Sequence, residues 1–101
     1  MPLYVFAYHH GKDFARPKDG AKHMANWRAW MAGMGAAVVE RGKPVGKSKM
    51  VAKGGVTEGG SLAGYTLVKA ADIDAAVKMA QACPHLDIGS IEVAEAMDME
   101  M

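Results

Sequence analysis

Histidines are the residues of this sequence best suited to chemistry, and His23 has the most suggestive neighbours. It precedes Trp27 by four residues and Trp30 by seven, so on a helix the three rings would lie close together. A histidine beside aromatic side chains can serve as a general acid or base near neutral pH. The same spacing is typical of a surface histidine next to a packing stripe. The sequence names His23 as a candidate catalytic residue and leaves the structural alternative open.

Two further histidines, His9 and His10, end an apolar run near the N-terminus. If that run is a strand, the two rings point to opposite faces and cannot bind one metal ion together. Other ligands would have to come from His85, Asp87 or Glu92, and no spacing matches a zinc motif. We therefore predict no metal site, and no motif points to a cofactor. One of the two rings must face the helices, and we take His9 as the candidate for ligand binding.

His85 follows Pro84 at the end of a predicted helix, where the helix dipole favours a cation. It is a candidate for ligand binding, and capping of the helix is the structural alternative. The neighbouring Cys83 is the only cysteine. We interpret it as a small buried core residue rather than a nucleophile, since the sequence shows no base that would activate its thiol.

Aromatic side chains could line an apolar pocket around these histidines, because ligand clefts are mostly apolar with few polar groups. Trp27 lies on a stripe of methionines that favours the core, whereas Trp30 lies off the stripe and is the better candidate for a pocket wall. Tyr8 and Tyr65 carry hydroxyl groups that need partners if buried, which fits a cleft or an interface between sheets.

The periodicity of the hydrophobic residues predicts the helices and strands that position these side chains. The run 3–9 is apolar at both alternating sets of positions, which predicts a strand covered on both faces. Asp72 is a predicted helix N-cap; Asp19 or Gly20 could begin the first helix, and Gly42 could end it. The predicted elements are strands over 3–9, 45–53, 62–70 and 88–97, helices over 21–41 and 73–82, a loop over 11–20, a glycine-rich connection over 54–61 and a fraying tail over 98–101.

The order strand-helix-strand-strand-helix-strand predicts an α+β fold of the ferredoxin-like βαββαβ type, with an antiparallel four-stranded sheet and both helices on one face. That topology leaves the other sheet face bare. Because the first strand is apolar on both sides, we expect a second copy of the chain to cover that face, giving a homodimer.

Length and composition exclude several classes of protein. A chain of 101 residues predicts a single domain over 1–101, and 12 basic residues against 11 acidic ones lack the basic stripe of a nucleic-acid-binding protein. No apolar run is long enough to span a membrane, and no signal peptide is evident. One cysteine fits a reducing compartment, so we expect a cytoplasmic location. Residues 54–60 lack the spacing of a phosphate-binding loop.

Several segments together resemble the YCII-related (DGPF-type) domains. The most specific block is 64–76, which reads GYTLVKAADIDAA, followed by ACPHL at 82–86 and GSIEV at 89–93. Upstream, WRAWM at 27–31 and GKP at 42–44 are similar to the first helix of that family and its exit. The resemblance covers about residues 1–97. The tetrapeptide DGPF itself is absent, and the matching region 53–58 reads KGGVTE.

This resemblance implies a dimeric α+β barrel built from two ferredoxin-like protomers, with a cleft between sheet and helices. Some family members are proposed to use a histidine at the start of the first helix with an aspartate; His23 lies near that place, and no acidic partner is evident after Pro44. Two functions stay open. One is a small organic ligand in the cleft, with acid–base or lyase-type activity through His23. The other is a non-catalytic accessory module, since some relatives are encoded with transcription-regulatory factors.

Overall fold

The computed structural model describes residues 1–11 and 16–98. In chain order the elements are the strand Leu3–His10 (β1), the helix Pro17–Met34 (α1), the strands Val38–Glu40 (β2), Lys49–Ala52 (β3), Gly55–Glu58 (β4) and Leu62–Lys69 (β5), the helix Ile73–Gln81 (α2) and the strand Gly89–Ala96 (β6). Short 3₁₀ turns occupy Gly35–Ala37 and Pro84–Asp87.

Four of the strands form one antiparallel sheet in the spatial order β2-β5-β1-β6. The first and last sheet strands are therefore neighbours, and the two middle ones lie on the other side of β1. This is the strand order of the ferredoxin-like plait, and it confirms the predicted α+β fold. The remaining pair, β3 and β4, forms a separate hairpin.

The two faces of the sheet have different surroundings. Tyr4, Phe6 and Tyr8 of β1 are buried toward the helices, where Phe6 stacks on Trp30 with ring centroids 6.2 Å apart. The alternate residues of β1 point to the opposite face and are only half-buried. The core thus lies between the sheet and the two helices, and the second sheet face is open in the protomer.

The first helix differs from the one predicted over residues 21–41 at both ends. It begins earlier, at Pro17, since proline is favoured in the first helical turn, and its N-cap is Arg16 rather than Asp19 or Gly20. It ends earlier, at Gly35, whose φ of 54° interrupts the helix. Val38 follows Met34 by four residues, which is helical spacing, and it does pack against the same core, but it does so from β2.

The second sheet strand is also corrected. We expected it over 45–53, but the sheet uses the short β2, and only β3 within that region is a strand. The segment 54–61, expected to be a connection, contains β4, which pairs with β3 through the register Val51–Val56. A strand of three residues is too short to leave a recognisable alternation, which is why the pattern pointed to the next segment instead.

The second helix agrees with the prediction. Asp72 caps it, and its Oδ1 accepts a hydrogen bond from the Ala75 backbone N–H at 2.8 Å. The predicted loop over 11–20 lies partly outside the described residues, and α1 already occupies its C-terminal part from Pro17. Most of the predicted tail, 99–101, also lies outside them.

Candidate functional site

A cavity of about 490 Å³ opens on the helix side of the sheet, where the C-terminal end of β1 meets α1 and the connection after β2. Its size falls within the range of small-molecule sites in proteins. Its walls combine buried aromatic and apolar side chains with histidines and arginines. The lining residues that bear on its chemistry are Tyr8, His10, His23, Trp27, Arg28, Met31, Arg41, Lys43, Tyr65, Thr66 and His85.

The floor of the cavity is a directed chain of hydrogen bonds. The Tyr8 hydroxyl donates to Thr66 Oγ1 at 2.7 Å, and the Thr66 hydroxyl donates to the carbonyl oxygen of Arg41 at 3.0 Å. Burial raises the pKa of Tyr8 above its ordinary value, so this phenol stays neutral. Both hydroxyl protons are therefore used within the protein.

His85 is held rigidly against this floor. It lies in the turn Pro84–Asp87, it is 5% exposed, and its Nε2 is 2.9 Å from the carbonyl oxygen of His9. A carbonyl can only accept, so Nε2 carries the proton that this contact needs. The ring lies 5.3 Å from that of Tyr8, centroid to centroid. A Cβ at Gly89 would collide with the His9 carbonyl oxygen and His85 Nε2, so glycine there permits the contact.

One wall comes from the middle of α1. Trp27 packs edge-on against Tyr8 with ring centroids 5.0 Å apart, and His23 lies one turn earlier, with its ring centroid 6.1 Å from that of Trp27. This is the proximity that the four-residue spacing predicts. His23 is half-buried and lines the cavity.

The opposite wall is the connection that follows β2. Tyr65 N–H donates to the carbonyl oxygen of Lys43 at 3.3 Å, and Pro44 forms an isolated bridge with Gly64, so the connection runs along β5. Gly42 has a φ of 76°, and a Cβ there would overlap the carbonyl oxygen of Tyr65. Only glycine allows this close approach, which places Arg41 and Lys43 on either side of it at the cavity.

The structure brings together five of the predicted site residues around the cavity, namely Tyr8, His23, Trp27, Tyr65 and His85. It places two elsewhere. His9 lies on the open side of β1, with Nδ1 2.9 Å from Ser61 Oγ and Nε2 3.0 Å from Glu92 Oε1, whereas His10 lines the cavity. Trp30 belongs to the core, where its Nε1–H donates to the carbonyl oxygen of Met79 at 3.0 Å, and it is not among the lining residues.

Sequence reasoning missed the basic side chains of the site and Thr66. Arg41 and Lys43 were read as the end of a helix and its exit, and only their alternation around a glycine before Pro44 could have suggested a shared direction. Arg28 directly follows Trp27, and no pattern in the sequence marks it as a cavity residue. Within the described ranges 1–11 and 16–98, no group of three histidine, cysteine or acidic side chains is arranged to hold a metal ion.

The structure is an α+β plait with a cavity of about 490 Å³ between sheet and helices. A family model for the YCII-related domain matches residues 1–100, and the chain belongs to that family. A search of curated proteins found no match. Within the described part of the chain, neither helix combines the length and apolar character that a membrane crossing requires.

Proposed function

We propose that this protein binds a small organic molecule in the cavity and acts as a cytoplasmic homodimer. The observation that carries the proposal is the cavity itself, with a volume of about 490 Å³ and walls that include Trp27 and Met31. Apolar walls with a few placed polar groups are typical of sites for small molecules. Partly buried aromatic rings gain from stacking on a flat ligand.

We further propose that His23 supplies acid–base or lyase-type chemistry to the bound molecule. Its support is that the ring lines the cavity beside Trp27, within reach of a molecule that rests on the indole. An imidazole can accept a proton from a bound substrate and return it to the product near neutral pH.

The test is a small-molecule turnover screen on matched histidine variants. We expect His23→Ala to abolish turnover, and His9→Ala, on the other side of β1, to leave it unchanged. Equal loss in both variants, with both folded, would contradict a role for His23. Turnover that survives His23→Ala would move the catalytic role to another side chain.

Self-association is proposed from the open face of the sheet. On that face Val5 lies opposite Leu67 in the register of β1 and β5, with Leu3 and Ala7 on either side of Val5. The hairpin of β3 and β4 adds an exposed pair, Val51 and Val56, which are 74% and 64% exposed. An isolated two-stranded hairpin is marginally stable in water, so a second chain packed on these surfaces would stabilise both.

Sedimentation tests this part of the proposal. We expect a dimer at micromolar concentration, and a monomer after Val5→Lys places a charge in the middle of the open face. Ala29→Lys, on an exposed position of α1, is the control and should leave the dimer intact. A wild-type monomer under these conditions would contradict the homodimer.

The second candidate function is a non-catalytic accessory module in which the dimer is the functional unit. The observation that favours it is the hairpin of β3 and β4, which is exposed along both strands and presents Met50, Val51 and Val56 to solvent. Co-purification of one defined protein partner, together with no turnover by the wild type, would favour this function over the enzyme.

A further inference from the structure

Positive charge is concentrated at the cavity. Arg28 comes from α1, and Arg41 and Lys43 come from the connection along β5, whereas no acidic side chain among the described lining residues offsets them. The whole chain has 12 basic and 11 acidic residues, a formal charge of +1. Three cations at one cavity are therefore a local arrangement and do not reflect a basic chain.

These three cations have no carboxylate partner within the described part of the chain. The ion pairs there join Arg16 to Asp19 and Lys49 to Glu58, and the carboxylate of Glu92 lies against the His9 ring. Glu40, the acidic residue next to Arg41, instead accepts a hydrogen bond from the Gly42 backbone N–H at 3.1 Å. The charge of Arg28, Arg41 and Lys43 is consequently available to a ligand.

The buried polar side chains of the cavity, Tyr8, Thr66 and His85, cannot replace these cations as donors. The hydroxyl protons of Tyr8 and Thr66 are donated to Thr66 Oγ1 and the Arg41 carbonyl oxygen. The Nε2 proton of His85 is donated to the carbonyl oxygen of His9. A ligand that brings anionic oxygens would thus find its hydrogen-bond donors at the exposed arginines and lysine, not at the buried floor.

Hydrogen bonds to their backbone carbonyl oxygens hold Arg41 and Lys43 in place. The Arg41 carbonyl oxygen accepts from Thr66, and the Lys43 carbonyl oxygen accepts from Tyr65 N–H. The left-handed Gly42 between them rests against β5. Because the backbone is held at both residues, less conformational entropy is lost when a ligand is bound there.

We infer that the cavity binds a small organic anion: a flat apolar body seated against Trp27, Tyr8 and Met31, with carboxylate or phosphate oxygens held by Arg28, Arg41 and Lys43. The inference rests on the proposed function, because it names the class of molecule that the same cavity takes. Guanidinium groups form paired hydrogen bonds with both kinds of oxyanion, which is the chemistry that the two share. Cations around a cleft with apolar walls also raise the local concentration of such a ligand.

Isothermal titration with probes of equal shape and different charge tests the inference. Naphthoate, neutral naphthamide and cationic naphthylmethylamine share one aromatic body. We expect naphthoate to bind about tenfold more tightly than naphthamide, the gain from one charge-assisted hydrogen bond, and naphthylmethylamine to bind most weakly. A parallel titration with naphthyl phosphate distinguishes the two oxyanions, since the tighter of the two anionic probes identifies the ligand class.

Matched variants test whether the preference for the anionic probe arises at the cavity. Arg41→Gln should weaken naphthoate about tenfold and leave naphthamide unchanged, because the Arg41 carbonyl bond to Thr66 survives the substitution. Lys22→Gln, exposed on α1 and outside the lining, should change neither. Equal affinity for naphthoate and naphthamide would overturn the charge inference and leave the proposed function standing. No binding of any probe to folded wild-type protein would overturn both.

Discussion

The Nε2 of His85 lies 2.9 Å from the carbonyl oxygen of His9, a contact between a turn and a strand that are 76 residues apart. It gives the two sequence-predicted histidines different roles, because His9 contributes its backbone here while its ring lies on the far side of β1. The contact also fixes Nε2 of His85 as the nitrogen that donates, since a carbonyl accepts and never donates.

The first prediction concerns the tautomer of His85. In its neutral form the ring should carry its proton on Nε2 and leave Nδ1 bare, which long-range proton–nitrogen NMR measures directly. His9→Ala is the control, because it keeps the backbone carbonyl and should leave the His85 spectrum unchanged. A neutral His85 ring with its proton on Nδ1 and none on Nε2 would show that the contact is not formed.

The second prediction compares two glycines. Gly42→Ala should lower the free energy of unfolding by about 2 kcal/mol or more, because its φ of 76° disfavours a side chain and the new Cβ meets the Tyr65 carbonyl oxygen. Gly33→Ala, inside α1 with open space around its Cβ position, should instead raise it by about 1 kcal/mol. Urea denaturation measures both. Equal effects of the two substitutions would contradict the close approach at Gly42.

The sequence predicted the fold well because most elements leave a periodic signal. β1 and β5 are long apolar strands, and Asp72 marks the start of α2, so the ferredoxin-like order follows from the sequence alone. The prediction of secondary structure was wrong for parts of residues 35–58. There Val38 continues the helical spacing by coincidence, and β2 is too short for an alternation to be seen.

The site was predictable where its residues share one element and not where they meet across elements. His23 and Trp27 lie one helical turn apart, so their proximity could be read from spacing. Arg41 reaches the cavity only because Gly42 rests on β5, a contact between distant parts of the chain. Trp30 was assigned to the pocket wall by its position on the helix alone, whereas its indole N–H finds a partner on α2.

The third prediction separates the two tryptophans. Trp30→Phe should lower the free energy of unfolding by about 1–3 kcal/mol, because it removes the hydrogen bond to the Met79 carbonyl oxygen and buried ring volume against Phe6. Trp27→Phe is the matched substitution; Trp27 is only half-buried and has no such bond to α2, so its effect should be smaller. Thermal unfolding followed by circular dichroism gives both values. A larger loss from Trp27→Phe would reverse the assignment of core and wall.

The fourth prediction concerns the cap of α2. Asp72→Ala should cost about 1 kcal/mol, since it leaves the Ala75 N–H without its acceptor, whereas Asp72→Asn keeps an acceptor oxygen and should cost only a few tenths. Chemical denaturation of both variants measures the difference. If asparagine were as harmful as alanine, the stabilisation would come from charge near the helix N-terminus and not from the hydrogen bond.

The last prediction concerns Cys83, whose thiol is 4% exposed and whose pKa burial raises from about 9 to about 12. The folded state therefore holds this proton more tightly than the unfolded state. The resulting contribution to stability is complete below about pH 9, and it is lost as the pH rises toward 12, because the unfolded thiol ionises first.

Chemical denaturation between these pH values should show a steeper fall in the free energy of unfolding for the wild type than for Cys83→Ala. The raised pKa of Tyr8 acts in the same direction and contributes to the slope that remains in the variant. Equal slopes would mean that the thiol ionises as readily in the folded protein as in the unfolded chain.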